Sequence, residues 1–351
     1  MVQNKEGLDL TINFPCKYLT QNELDWHHVL QGINTYDVVF VTSVIQYYQA
    51  YFIDSYEEYY DYSMILYNKN DEAIAVWPLC VYFHEGCYHI GSNGGAIVFP
   101  IILDELYNTK SHKKISDTCF QIIKALAAHY HISEMNILAD PLVYPQDCFY
   151  EKLLTYDVRP NYHQHMLYVN FQKGMDHVKA NIRKSYRSLI HGSKKNLNIE
   201  IIDCKQGNVK QALAQTKQLH LEVAGQKTRS DQSWLLQEKI IVDGYGCIFL
   251  LYDKDQQLVG AAIFSWGAKI AHYGTGVYRR ELFDQYALGH VVQSVAIDYM
   301  YSHDIQWYCI GGFPLLCDAP KPTDKEISIG HFKQGFATDI MITNMILMKL
   351  I

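Results

Sequence analysis

Two stretches of the chain decide the fold: LYNKNDEAIAVWPL at residues 66–79 and LYDKDQQLVGAAIF at residues 251–264. They align without a gap at an offset of 185, and Leu66, Tyr67 and Lys69 recur as Leu251, Tyr252 and Lys254. In each stretch a polar turn rich in Asn, Asp and Lys separates two apolar runs, which predicts a β-hairpin. The sequence therefore predicts two copies of one hairpin.

The segments after each hairpin repeat in the same order of strand, long helix and strand. After the first copy we predict a strand at 87–90, a glycine loop at 91–95, a helix at 113–131 and a strand at 135–138. After the second copy the predicted strand, helix and strand are at 270–274, 284–301 and 307–310. A repeat longer than about 100 residues indicates duplicated domains rather than a solenoid.

The junction between the two copies is predicted near 157–166, where Asp157-Val-Arg-Pro160 is typical of a turn. We therefore expect domains at 1–160 and 161–351 that pack together, because no long linker separates them. The second domain should open with a strand at 165–171 and a helix at 174–195, which Gly192 could interrupt. A strand at 198–202 and helices at 208–224 and 233–242 should follow.

Composition narrows the class of protein. The 351 residues carry a net charge of -7, 49% are hydrophobic and 19% are charged, which excludes a disordered protein. The mild acidity argues against general coating of nucleic acid, although it leaves room for a local basic site.

The sequence predicts neither a targeting segment nor a membrane span. Residues 1–15 lack the basic start and apolar run of a signal peptide, and no run of roughly 18–20 apolar residues occurs. The nine cysteines are scattered without a CxxC pair, which predicts a reducing compartment and mostly buried thiols. We expect a cytoplasmic protein.

Three histidine pairs invite a metal interpretation: His27 with His28, His129 with His131, and His163 with His165. No Cys or carboxylate stands near them at the spacing of a zinc site. We therefore predict no metal centre and interpret these residues as surface or core histidines.

A basic segment at 179–195 is the first candidate for chemistry. It holds six Lys or Arg and no Asp or Glu. Arg183 and Arg187 would lie one helical turn apart, with Lys184 beside them, so that two guanidinium groups could grip a phosphate. The alternative is a solvated basic helix face.

The second candidate is Lys333, within Phe332-Lys333-Gln-Gly335-Phe336. A lysine among apolar and glycine residues is costly to bury, and it could stabilise a negative charge that develops on a carbonyl or phosphate. The alternative is a lysine that snorkels from the core edge. Gly311 and Gly312, directly after a predicted buried strand, could turn a loop toward a cleft. GxGxxG, GxxxxGK and GxSxG motifs are absent.

These features resemble the FemAB-like group of the GNAT superfamily, whose members have two tandem acetyltransferase-type domains. The duplicated order of elements, RKSYR at 183–187, Tyr308–Gly312 and Phe332–Phe336 carry the resemblance over most of the chain. Cys309 departs from the family's usual Asp, and Ala337 departs from its last Gly. The stretch at 280–290, RELFDQYALGH, lacks the spacing of the pyrophosphate loop Q/R-x-x-G-x-G/A.

The resemblance implies an α/β (α+β) fold of two tandem GNAT-like domains, each with a mixed central sheet flanked by helices. It implies acyl transfer to an amine, since characterised members move an amino acid from aminoacyl-tRNA to the peptide of a cell-wall precursor. Lys333 would be catalytic, and Arg183, Lys184, Arg187, Phe332, Gly311 and Gly312 would bind substrate. No tightly bound cofactor is expected, and acyl-CoA or aminoacyl-tRNA would be the donor.

Three functions stay open at this point. The first is an acyl- or aminoacyltransferase that uses a phosphate-bearing precursor, such as a nucleotide sugar, with tRNA as a further partner. The second is an acyl-CoA-dependent N-acyltransferase acting on an amino sugar or another small amine. The third is a binding protein that keeps the fold without the chemistry, which Cys309 in place of Asp would suit.

Overall fold

The computed structural model describes residues 16–52, 55–142 and 147–350. Residues 1–15, where no signal peptide is predicted, lie outside that range. The chain divides into two compact units, one made of residues 1–163 and 342–351 and the other of residues 164–341. The last ten residues group with the first unit and not, as predicted, with the second, because residues 344–349 pair with residues 134–139 of the first unit.

In the first unit, one short strand, two helices and then six short strands precede the long helix. Its strands are β1 (Cys16–Tyr18), β2 (Glu58–Asp61), β3 (Met64–Tyr67), β4 (Ala73–Trp77), β5 (Cys80–His84), β6 (Cys87–Gly91), β7 (Ile101–Ile102) and β8 (Glu134–Ala139). Its helices are α1 (Glu23–Gln31), α2 (Thr42–Phe52), α3 (Lys110–Tyr130) and α4 (Asp147–Leu153). Strand β9 (Asp157–Asn170) leads from this unit into the next.

Like the first unit, the second has a strand and two helices before its hairpin, and a long helix followed by a strand after it. Its helices are α5 (Met175–Asn181), α6 (Lys184–Lys194), α7 (Val209–Ala224), α8 (Asp231–Val242), α9 (Leu288–Ser302) and α10 (Asp324–Gln334). Its strands are β10 (Asn198–Ile202), β11 (Gly246–Tyr252), β12 (Leu258–Trp266), β13 (Ile270–Tyr278) and β14 (Trp307–Gly312), and β15 (Asp339–Lys349) leads back to the first unit.

Each unit has a sheet packed against a long amphipathic helix. The order is β1-β3-β4-β7 in the first unit and β10-β11-β12-β13-β14 in the second. The predicted apolar face of α3, which includes Ile115, Ile122 and Leu126, is buried in the core of the first unit. Val291, Val292 and the rest of the apolar face of α9 do the same in the second. Burial of one apolar helix stripe on each sheet is what stabilises both units.

The two hairpins are equivalent down to their registers. Leu66 pairs with Ala75 and Tyr67 with Ala73, and at an offset of 185 Leu251 pairs with Gly260 and Tyr252 with Leu258. The register shift falls between the same two residues in both copies. The predicted duplication is confirmed by this match.

The turns of the two hairpins are also built alike. The side chain of Asn68 accepts hydrogen bonds from the backbone N–H groups of Asn70 and Glu72. The side chain of Asp253 does the same for Asp255 and Gln257. Both turns have a residue with positive φ at the matching position, Asp71 and Gln256. An Asx side chain that closes its own turn explains why Asn and Asp exchange here without changing the hairpin.

Three predicted elements differ from the structure. The strand at 87–90 exists, but it pairs with β5 in a separate three-stranded sheet, and β7 takes the place beside the hairpin that β13 has in the second unit. The expected turn at 157–160 lies within β9, because Pro160 can occupy a strand position that makes no ladder bond. The helix at 174–195 is interrupted before Arg183, not at Gly192, because the Arg183 N–H donates to the Gly335 carbonyl at 2.9 Å.

Each of the nine cysteines has a free thiol; four are buried, and Cys87, Cys204 and Cys317 are exposed. The expectation of mostly buried thiols is therefore wrong for this chain. Within residues 16–52, 55–142 and 147–350, no helix is both long and apolar enough to cross a membrane. Over the same ranges, His, Cys, Asp and Glu side chains do not gather in threes as metal ligands would.

Candidate active site

A break in strand pairing opens the sheet of the second unit. Strands β13 and β14 are parallel and pair only over Ile270–His272 and Trp307–Cys309. Beyond this point β13 stays with β12 as far as Tyr278, whereas β14 pairs with β9 at Gly311 and Gly312. The two strands therefore separate, and side chains and ligands can enter where the ladder stops.

A cavity of about 820 Å³ lies beside this opening, entirely within the second unit. Tyr273 and Tyr278 of β13 line it, with their hydroxyl groups 2.9 Å apart. The start of α9, from Leu288 to His290, and the end of α10 complete much of the wall. The first N–H groups of a helix have no partner inside the helix, so α9 offers free donors here.

Lys333 extends from the last turn of α10 into this cavity. Its ammonium lies 5.9 Å from the centroid of the Tyr273 ring and directly beside Gly311. Among the described residues, no hydrogen bond or ion pair holds the ammonium. Burial lowers the pKa of Lys333, although the nearby Cys309 thiol opposes that shift. The prediction of a lysine in a cleft therefore has a concrete geometry, while its catalytic role stays a prediction.

Helix α10 is fixed at its start and its end. Thr323 and Glu326 form a capping box at its first turn, which satisfies two backbone donors reciprocally. After the helix, a side chain at Gly335 would lie 2.2 Å from the Tyr186 ring, so only glycine fits. Phe336 is fully buried in the core of this unit. These residues of the motif position Lys333.

Phe332 and Gly311 have structural surroundings that explain their identities, whereas Gly312 does not. The Phe332 ring lies 4.8 Å from His290, in an edge arrangement that aromatic rings favour. Gly311 has a φ of +118°, a conformation that favours glycine. A Cβ added at Gly312 would lie at an ordinary 3.4 Å from the Gln164 side chain, so space alone does not require glycine there. Phe332 lines the cavity, and Gly311 borders it through Lys333.

The three basic residues at 183–187 do not form the grip that the sequence predicts. Arg183 precedes helix α6, and its guanidinium donates to the Tyr186 hydroxyl at 2.8 Å and to the His331 carbonyl at 3.1 Å. Arg187 donates to the carbonyls of Lys179 and Ala180 at the end of α5. The expected pair of forks one turn apart on one helix is therefore wrong, because α5 ends before Arg183 and each guanidinium serves a different part of the protein.

All three basic residues are nevertheless exposed, and Arg183 and Arg187 border shallow surface cavities. Arg187 lines one of about 370 Å³, together with Lys179 and Lys194. Arg183 lines another beside Gly335. Contact of Arg183, Lys184 and Arg187 with a phosphate stays a prediction.

Two histidines of the cavity were missed by the sequence analysis. His290, the third residue of α9, packs its ring 4.4 Å from Tyr186, and burial, followed by the Arg183 guanidinium, lowers its pKa. His220 on α7 lines the same cavity, and burial likewise lowers its pKa. Neutral imidazoles can accept a proton near pH 7. For His290, the sequence signal is the glycine before it. Gly289 lies near the start of the predicted helix, where a residue without a side chain lets a ligand or another chain segment approach closely.

No protein-family model matches this chain, and no curated protein matches it. Solved structures do. A crystal structure of FemX superposes with a TM-score of 0.67 at 12% identity, covering 96% of this chain and 97% of that one. The C-terminal domain of a putative lysylphosphatidylglycerol synthetase from Agrobacterium fabrum has a TM-score of 0.58 at 10% identity, covering 94% and 92%. The structure of L-PGS from Bacillus licheniformis has a TM-score of 0.52 at 9% identity, covering 82% and 84%.

At these identities the likeness establishes the fold. The chain shares the fold of FemX, in a mixed α/β arrangement of two units with equivalent hairpins, as the resemblance to the FemAB-like group implied.

Proposed function

We propose that the chain is an acyltransferase that moves an acyl or aminoacyl group from an activated donor to an amine. The reaction takes place in the cavity of the second unit. The observation that carries this proposal is the Lys333 ammonium, half-buried and without a paired carboxylate among the described residues, at the point where β13 and β14 separate.

Acyl transfer from an activated donor requires few catalytic groups in the cavity. The acceptor amine attacks the donor carbonyl, the carbonyl oxygen becomes an oxyanion, and the carrier leaves when the tetrahedral intermediate collapses. An ammonium in a partly dry site stabilises that oxyanion more strongly than water does. Lys333 supplies it, and the absence of a competing carboxylate keeps its field directed at the substrate.

The attacking amine must also lose a proton. His290 lines the same cavity, and its lowered pKa leaves the imidazole neutral near pH 7. A positioned base of this kind contributes roughly 10²–10⁴-fold to such a transfer. We assign His290 as the proton acceptor.

The donor carrier in this proposal bears phosphate. The free N–H groups at the start of α9 suit an anion, and Arg280 and Lys325 line the same cavity. An acyl-CoA or an aminoacyl-tRNA satisfies this requirement, and neither needs a tightly bound cofactor. Arg183, Lys184 and Arg187 are outside this cavity and could contact a longer carrier. A nucleotide-linked or cell-wall precursor is the acceptor we favour, in the cytoplasm, where such precursors are made.

Transfer assays with charged tRNA and with acyl-CoA, run side by side against a panel of amines, test the proposal. We expect transfer from at least one donor class, and a loss of that transfer in Lys333→Met. A folded protein that transfers from no donor would return the chain to the alternative of a binding protein, which Cys309 in place of the family's Asp favours.

A further inference from the structure

The charge of the cavity in the second unit has one sign. Five basic side chains line it, and the lining residues, all within the described part of the chain, include no Asp or Glu. The basic residues are His220, Arg280, His290, Lys325 and Lys333. An ammonium group placed in the cavity would meet the like charges of Arg280, Lys325 and Lys333 without a counter-charge, which costs affinity.

Five carboxylates adjoin a lining residue in sequence, and none of them lines the cavity. Asp284 and Asp324 make no hydrogen bond or ion pair among the described residues, whereas the other three are engaged elsewhere. Glu222 accepts from Arg279 at 2.8 Å, and Glu281 pairs with the same guanidinium at 3.8 Å. Glu326 is held by the backbone and hydroxyl of Thr323 at 2.7 Å. None of the three is free to turn toward a cation in the cavity without giving up its partner.

The rest of the wall is largely apolar and remains so at the rim. Leu189, Phe283 and Ile329 line the cavity and are 45%, 53% and 42% exposed. Large apolar side chains left open around a cavity indicate an apolar ligand. A cavity of about 820 Å³ also has more room than a two-carbon acyl group needs.

From these observations we propose that the group transferred in this cavity is an uncharged, hydrophobic acyl group and not a cationic aminoacyl group. The inference rests on the proposed acyltransferase function and narrows its donor. Wherever the acyl group lies in the cavity, the apolar walls can bury its methylene groups. No carboxylate lines the cavity to neutralise an α-ammonium. Each buried methylene should strengthen binding by roughly fourfold.

A matched pair of non-reacting donor analogues tests this directly. Both are thioethers of coenzyme A with the same six-carbon chain, and they differ only in a terminal methyl or a terminal ammonium. Calorimetry should show the methyl analogue binding at least about tenfold more tightly. Equal binding, or tighter binding of the ammonium analogue, would overturn the proposal.

The same pair built on 3′-amino-3′-deoxyadenosine 5′-phosphate, an analogue of the acylated end of tRNA, separates the two carriers. The methyl form should again be preferred on whichever carrier binds. If neither carrier binds in either form, the proposal fails. If an aminoacyl donor supports transfer and its ammonium analogue binds better, this inference fails while the proposed function stands.

A charge introduced into the wall provides the second test. Ser328 is an exposed cavity residue on α10. Ser328→Asp should reduce the preference for the methyl analogue by about fivefold or more, because it supplies the missing counter-charge. Ser328→Asn, similar in size but neutral, should leave the preference unchanged. A preference that does not differ between the two variants contradicts the electrostatic argument.

Discussion

The Lys333 ammonium occupies the space that a side chain at position 311 would need: a Cβ on Gly311 would lie 2.5 Å from Nζ. The glycine therefore has two reasons to be there, its φ of +118° and the lysine beside it. The two residues come from different elements, β14 and α10, and they meet where the sheet opens. Their contact makes the position of the ammonium sensitive to a single methyl group.

Gly311→Ala should displace the lysine. We expect kcat/KM to fall by about 10²-fold, since small misplacements of a catalytic group are that costly. The positive φ should also lower the free energy of unfolding by about 1–2 kcal/mol. Transfer assays and chemical unfolding measure the two effects. Gly312→Ala is the matched control, because its Cβ meets its nearest neighbour, Gln164, at an ordinary 3.4 Å. Equal losses in both variants would contradict a specific role for Gly311.

Lys333→Met should lower kcat/KM by about 10²–10³, comparable to the loss of one oxyanion donor. Its stability should stay the same or rise. Burial lowers the pKa of Lys333, so the charged form opposes folding at every pH below that pKa, and the opposition fades as pH rises through it toward 10.5. The melting temperature at neutral pH checks this. Lys210→Met, on an exposed face of α7, is the control, and wild-type turnover in Lys333→Met would leave the lysine structural.

The pH profile of transfer should be bell-shaped. The rate should rise as His290 loses its proton, at a pH below the ordinary imidazole value of 6.5, and fall as Lys333 loses its proton, below 10.5. His290→Gln should remove the acidic limb and lower kcat by about 10²-fold or more. An acidic limb that persists in this variant would assign the base to another group. His220→Gln is the first alternative to measure.

The basic segment should bind phosphate through exposed charges. Lys184→Ala should weaken donor binding and reduce the slope of log affinity against log salt by about 1. Arg187→Ala should weaken donor binding and reduce the salt slope in the same way. It should also lose the hydrogen bonds to the carbonyls at the end of α5, which should lower the free energy of unfolding by roughly 1 kcal/mol. Salt titrations and unfolding measure both. Lys205→Ala is the control, because it changes the net charge by the same amount at a residue outside the basic segment. Unchanged affinity at low salt in the first two variants would make this surface a solvated helix face.

The hairpins could be predicted because their information is local. The apolar runs and the Asx residues at 68 and 253 specify a turn regardless of what surrounds them. The edge strand β7 could not, since two residues, Ile101 and Ile102, are too few to show a period. The pattern at 87–90 is more regular, so the sequence predicts that strand after the hairpin, in the place that β7 takes in the structure. Strand existence follows from pattern, whereas strand partners depend on the whole fold.

The candidate site shows the same division. Lys333 and Gly311 could be predicted because a charge among glycines and aromatics is unusual in sequence. Arg183 was misplaced on a helix because the interruption comes from a hydrogen bond to Gly335, far away along the chain. Tyr273 carries no sequence signal of its own, and the separation of β13 from β14 leaves it in one cavity with His290. Long-range contacts create what local pattern cannot show.

The return of β15 to the first unit has a consequence for synthesis on the ribosome. Strand β8 finds its antiparallel partner in residues 344–349, which are translated some 200 residues later. The first unit therefore cannot complete its strand pairing while the second is being made, and one edge of β8 stays unpaired until residues 344–349 have been translated. Unpaired edges of this kind invite association with other chains. Cutting the gene after residue 163 would place the two strands of the β8–β15 pair on different fragments, so we expect the first unit to be less stable as a separate piece unless residues 342–351 are joined to it.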